Sequence, residues 1–268
     1  MGSTSGGEAF AVGACFAYGR IQMTVISVQT RPTVLATVAH ELRGPLSAMA
    51  TAGELLERDF DLMDRTQARA MVSTINRRTL WLRGLVENLL CAATADDGRL
   101  QMQQRPVDLR PLVEDVALLF KPLLERKAQR LRVRVRPLLP VVTGDQQRLS
   151  MVLANLLSNA SKYADPDTTI GVAVAPRAGA VRVTVTDRGP GVRPENTDQL
   201  FQAYNRAGRT DSDGLGIGLS VVRSIIEAHG GKVGYASRSG GGAVFWFELM
   251  AARSATSSVG ANVRESVG

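Results

Sequence analysis

The chain has 268 residues, 44% of them apolar and 21% charged, with 32 Lys and Arg against 25 Asp and Glu. That balance excludes a chain disordered throughout and leaves room for two modest domains, each with its own core. The charge of +7 is dispersed over every segment rather than gathered on one stripe, so no nucleic-acid partner is expected.

The longest apolar stretch, Ala9 to Val28, is broken by Arg20 and Gln22, so no membrane span is expected. Cys15 and Cys91 are isolated, without disulfide or zinc spacing, and a reducing cytoplasm is the default setting. Residues 1–30 carry one alternating run, Ile21 to Val28, that suggests a short strand, and read as a linker or the remnant of a sensor module.

From Pro32 apolar residues recur at helical spacing through Val38, Leu42, Leu46 and Met49 to Leu56, which predicts a helix ending near Asp59. A turn at Asp59 to Asp64 leads to a second helix, about Thr66 to Ala95, with Met71, Ile75, Leu82, Val86 and Leu89 on one stripe and a stop at Asp96-Asp97-Gly98. Such a hairpin leaves apolar flanks wet. It must either dimerise into a four-helix bundle or pack on the C-terminal part of the chain, and periodicity alone leaves both open.

After Gly98 the texture becomes an alternation of strands and helices. A strand is predicted at Leu100 to Gln104, a helix capped by Asp108 and running to about Gln129, a strand at Leu131 to Arg136, and a helix capped by Asp145. A hairpin joins Thr168–Ala175 to Ala180–Asp187, residues 193–213 read as a flexible polar lid, and Gly214 to Ala228 becomes helical. Strands at Gly231 to Ala236 and Ala243 to Leu249 close the domain, and the tail 251–268 is expected to be disordered.

Several clusters carry chemistry. His40 is one of only two histidines and is followed by Glu41 in mid-helix, so a neutral imidazole able to act as a nucleophile stands beside a carboxylate able to take its proton. His40, Gly44 and Ser47 share a face free of large apolar groups, and Pro45 removes a helical N–H, so a kink is expected just after the histidine. Taken alone, Gly44-Pro45 reads better as the end of a helix with an ordinary surface histidine before it. The other histidine, His229, reads as a helix end before Gly230-Gly231 rather than as a reactive group.

Asn155 and Asn159 stack on one helix face, where an amide oxygen can ligate Mg²⁺, with Lys162 and Tyr163 one turn further on in reach of a nucleotide. Asp187 ends an alternating strand before Gly189 and Gly191, placing a carboxylate where it can accept from the amino group of adenine while the glycines turn the chain beneath the base. Gly214, Gly216 and Gly218 precede Leu219 and a helical run, so bare N–H groups can cradle phosphates. No Gly-Lys-Ser/Thr comes after them, so this is not a P-loop, nor does its setting fit a dinucleotide fingerprint.

The ordered set His40-Glu41-Leu-Arg-Gly-Pro45, Asn155-Leu-Leu-Ser-Asn159, Asp187-Arg-Gly189-Pro-Gly191, Phe201 to Arg206 and Asp213-Gly214-Leu-Gly216-Ile-Gly218 resembles the sensor histidine kinases of two-component signalling, over about residues 32–250. The resemblance implies an α+β protein: a two-helix hairpin over 31–98 that dimerises into a four-helix bundle, then an ATP-binding α/β sandwich over 99–250, with a mixed sheet and helices on one face. It implies His40 as phosphoacceptor, Glu41 as its base and Asn159 as the Mg²⁺ ligand. It also implies Arg206 on the terminal phosphate, Phe201 and Tyr204 as anchors of the lid, ATP and Mg²⁺ as cofactors, a homodimer, and a response regulator as partner. Gly44 departs from the Thr or Asn usual four residues after the histidine, so weak phosphatase activity is expected. The alternatives are another ATPase of the same superfamily or a non-catalytic ATP-binding scaffold.

Overall fold

The computed structural model describes residues 32–96, 102–205 and 215–252. The strand suggested at Ile21 to Val28, the lid residues Arg206 to Asp213, Gly214 and most of the tail lie outside them.

Helices α1, Pro32–Asp59, and α2, Arg65–Asp96, form the expected hairpin across a short 3-10 turn, Phe60–Leu62. The start of α2 is specified locally, because Asp64 and Gln67 exchange bonds: the Gln67 N–H donates to Asp64 Oδ1 at 2.7 Å and the Asp64 N–H to Gln67 Oε1 at 3.1 Å. Two N–H groups that the helix itself cannot satisfy are thereby paired. Pro45 does not end α1. It is buried within the helix, which continues to Asp59, so the boundary that Gly44-Pro45 could have marked is absent.

Beyond the hairpin come β1 (Arg105–Val107), α3 (Leu109–Glu125), β2 (Arg130–Val135), β3 (Val142–Gly144), α4 (Gln146–Tyr163), β4 (Thr169–Arg177), β5 (Ala180–Thr186), α5 (Gly218–Ala228), β6 (Lys232–Ser237) and β7 (Ala243–Met250). Five strands form one mixed sheet in the order β2-β4-β5-β7-β6, with β2 parallel to β4 and every other pair antiparallel. The parallel pair requires a crossover, which α4 supplies. Asp108 and Asp145 cap α3 and α4 as expected, Asp108 accepting from the Arg110 N–H and Asp145 from the N–H groups of Gln147 and Arg148.

Alternate residues point to the helices, so Val172, Val183, Phe247 and Leu249 meet Leu112, Leu153, Leu157, Val221 and Ile225 in one core. Each such burial contributes about 1.5–3 kcal/mol relative to exposure. On the other face Arg182 lies 4.0 Å from the Trp246 ring centroid and bridges Glu248 at 2.7 Å.

Four expectations need correction. Among the described residues the first strand of the domain is Arg105–Val107 and leaves out 102–104, with 100 and 101 outside the described residues, because its partner is β3, a three-residue strand too short to show a period. Helix α3 stops at Glu125, where Ala128 takes a left-handed φ of 54° and the Gln129 side chain turns back to the carbonyls of Ser161 and Ala164. Part of the supposed lid is ordered as a 3-10 helix, Pro194–Gln199. Ala251 and Ala252, assigned to the tail, are pinned by bonds to the carbonyls of Gly179 and Val141.

Candidate active site

His40 stands exposed on α1 with Gly44 and Ser47, and Glu41 is half-buried beside it. The face predicted to stay open is open.

The remaining predicted residues converge around α4. Asn155, Asn159 and Tyr163 succeed one another at intervals of four and therefore line a single face. At one end of that face lies Gly218, the first residue of α5, where an added Cβ would sit 3.7 Å from Asn155 Oδ1. At the other end lies Gly189, whose missing Cβ would fall 2.2 Å from the Tyr163 carbonyl oxygen. Asn159 is one helical turn from each. Two glycine-bearing loops thus close on one asparagine face, and only glycine permits the approach at 189. Gly191 and Gly216 have left-handed φ values of 72° and 70°, and a Cβ on Gly216 would press on the Asn205 backbone.

Asp187 is 3% exposed, and its Oδ1 accepts from the N–H groups of Gly189 at 2.9 Å and Ala243 at 3.1 Å. Burial raises its pKa above the usual carboxylate range, against the two N–H donors and the Arg238 charge, which lower it. Folding therefore favours its protonated form, and this residue's cost to stability grows as pH rises from the ordinary carboxylate value through the raised one.

The backbone around Asp187 is clasped from the β6–β7 loop. Arg238 Nη1 donates to the Asp187 carbonyl at 2.9 Å, and Gly242, at a φ of 107°, has no space for a Cβ against that same carbonyl. Sequence patterns alone did not single out either residue; their one signal is the run Gly240-Gly241-Gly242 before a strand. Replacing Arg238 with Met should raise the KM for ATP about threefold to tenfold with little change in kcat, and Lys should restore part of the loss, as steady-state kinetics would show.

Other assignments fare unevenly. Lys162 is half-buried, its ammonium 5.1 Å from the centroid of the Tyr163 ring. Leu219 packs its side chain against the domain core, while its backbone N–H lies in the first turn of α5. Phe201 anchors its segment by meeting Phe245 edge-on at 6.4 Å, but Tyr204 is 44% exposed and does not. Arg206 and Gly214 fall outside the described residues. His229 caps α5 as expected and also joins two helix ends, donating from Nδ1 to the Ile225 carbonyl and accepting at Nε2 from the Asp145 N–H at 2.9 Å. Burial lowers its pKa, which suits this neutral tie.

Comparison with known proteins agrees with this geometry. Residues 31–98 match the family model of the His Kinase A (phospho-acceptor) domain, and residues 144–253 match that of the histidine kinase-, DNA gyrase B- and HSP90-like ATPases. The chain is 36% identical over 235 residues to the adaptive-response sensory kinase SasA of Thermosynechococcus vestitus, covering 83% of this chain and 60% of that protein. It is 32% identical over 230 residues to the signal transduction histidine-protein kinase BaeS of Escherichia coli, covering 82% of this chain and 47% of that one. It thus spans about three-fifths or less of these relatives.

Among solved structures, full-length ShkA in complex with AMPPNP superposes with a TM-score of 0.59 at 31% identity, covering 82% of this chain and 46% of that one. The catalytic domain of histidine kinase ThkA gives 0.51 at 29%, covering 56% of this chain and 97% of that one. The chain belongs to the sensor histidine kinases, and its hairpin and sandwich are the phosphoacceptor and ATPase domains of their catalytic core.

Proposed function

We propose that the chain uses ATP to phosphorylate His40 and passes the phosphoryl group to an aspartate of a response regulator. One observation carries this reading: the loops at Gly189 and Gly218 close on opposite ends of the Asn155–Asn159–Tyr163 face, beside a buried Asp187, in a chain that also presents an exposed histidine on a helix. Asp187 accepts from the adenine amino group, and the N–H groups at the start of α5 hold the phosphates.

The donor set fits a hydrated Mg²⁺, which an amide oxygen of Asn159 would hold together with phosphate oxygens and waters. Bound there, the ion would neutralise phosphate charge. An imidazole nitrogen of His40 forms a bond to the γ-phosphorus as the bond to the β-phosphate oxygen breaks and ADP leaves, and Glu41 takes the ring proton.

This reading sets the domain limits at 31–98 for the phosphoacceptor hairpin and 99–250 for the ATP lobe. The hairpin leaves Leu46, Val72, Leu80, Trp81, Val86 and Leu90 exposed, and a second copy would cover such a row by forming a four-helix bundle. Among the described residues no helix is long and apolar enough to cross a membrane, and a cytoplasmic core is the setting this reading favours.

The test is incubation with γ-labelled ATP and Mg²⁺, which should give an acid-labile, base-stable phosphoprotein that loses its label to a receiver domain. Tight ATP binding without any label would instead support a scaffold. Gly44 offers no side chain to orient water, so the protein should accelerate dephosphorylation of a phosphorylated receiver little or not at all. Gly44→Thr has open space, with nothing within 4 Å of the new Cβ, and should raise that rate.

A further inference from the structure

The side chain of Asn155 is held by a partner from the other domain. Asn88, on α2, donates from Nδ2 to Asn155 Oδ1 at 3.1 Å, and Asn155 donates from Nδ2 to Asn88 Oδ1 at 2.9 Å. The two amides are half-buried and exchange both bonds across the junction of hairpin and sandwich. The junction is otherwise apolar nearby: Leu215 and Ile217, on the phosphate loop, are buried with Leu85 of α2 and packed by Val38, Leu42 and Leu89.

This arrangement also decides where the loop sits relative to His40. Val38 and Leu42 are four apart and share a face, whereas His40 lies about half a turn away on the opposite, exposed side of α1. The phosphate loop is therefore docked on the flank of α1 turned away from that histidine, and transfer to His40 of the same chain requires the lobe to leave. Leaving breaks the Asn88–Asn155 exchange.

We propose that Asn88 is an affinity-determining residue for nucleotide, acting through Asn155. The amide that should face the phosphates is committed to α2 while the lobe is docked, so nucleotide loading and docking compete for one side chain. Asn88 is a positioning residue, because it touches Asn155 and not the reacting atoms. The inference rests on the reading of Asn155 as a nucleotide contact. An amide exchanged for water costs little net energy, but it must be given up before Asn155 can turn, and that cost appears as weakened binding.

The test is equilibrium titration of the full chain with ATP in Mg²⁺ buffer, alongside autophosphorylation at low and saturating ATP. Asn88→Ala should bind ATP about fivefold more tightly, the worth of roughly one net hydrogen bond, and label faster at low ATP. Asn88→Asp retains an acceptor for Asn155 Nδ2 but no donor for its Oδ1, and should fall between the two. In an Asn155→Ala background the Asn88 effect should vanish.

Unchanged or weaker ATP binding in a folded Asn88→Ala protein overturns the proposal, and so does an Asn88 effect that persists without Asn155. Should Asp187→Asn and Asn159→Ala both bind ATP like the parent, the site reading itself fails, and this inference falls with it.

Discussion

Replacing His40 with Gln should abolish incorporation of label from γ-labelled ATP, to below about one part in a thousand of the parent rate, while leaving the affinity for ATP within about twofold. The expectation comes from position. His40 is exposed on α1 and takes no part in the apolar junction with the phosphate loop, so its removal costs the fold nothing that could reach the nucleotide site. Glutamine is similar in size and cannot attack phosphorus as imidazole does. The chain's second histidine cannot substitute, because both ring nitrogens of His229 are engaged, one at the Ile225 carbonyl and one at the Asp145 N–H. Base-stable label on His40→Gln protein would overturn the phosphoacceptor assignment.

Gly189→Ala should have the second largest effect, on ATP binding rather than on transfer. A Cβ at this position would lie 2.2 Å from the Tyr163 carbonyl oxygen, and that oxygen belongs to the backbone of α4 and cannot swing aside. Either the loop after β5 or the end of α4 must shift, and both carry the site. Asp187 accepts the Gly189 N–H at 2.9 Å, so a shifted loop also displaces the carboxylate.

The expected loss is at least tenfold in ATP affinity, with a fall in stability of about 1–3 kcal/mol, the range of a forced backbone rearrangement. Titration with ATP and thermal melting would check the two separately. Gly44→Ala is the contrasting control: its Cβ would meet nothing within 4 Å on an exposed helix, and it should stabilise rather than disrupt. ATP affinity unchanged in Gly189→Ala would show that the loop does not line the site.

Much of the architecture was written locally. The limits of α1, the caps Asp108 and Asp145, and the hairpin of β4 and β5 each arise from residues within a few positions of one another, through periodicity, capping and turn chemistry. The glycines at 189, 191, 216 and 218 were legible as residue types, and the end of α5 at His229 as a helix stop.

The features that the chain alone could not disclose are long-range by nature. Strands β1 and β3 are three residues each and exist because they pair with one another. Cys91 is wholly buried because the end of α2 enters the sandwich core, which an amphipathic stripe on α2 does not announce. Arg238 and Gly242 matter only because folding carries the β6–β7 loop to the Asp187 carbonyl, and the Leu219 side chain is taken up by the core only because α5 settles there. Asn88 carries no motif at all. Its role arises from Asn155, 67 positions away, so the sequence determined which side chains could bind and attack, and the tertiary packing decided which of them is held by a neighbour.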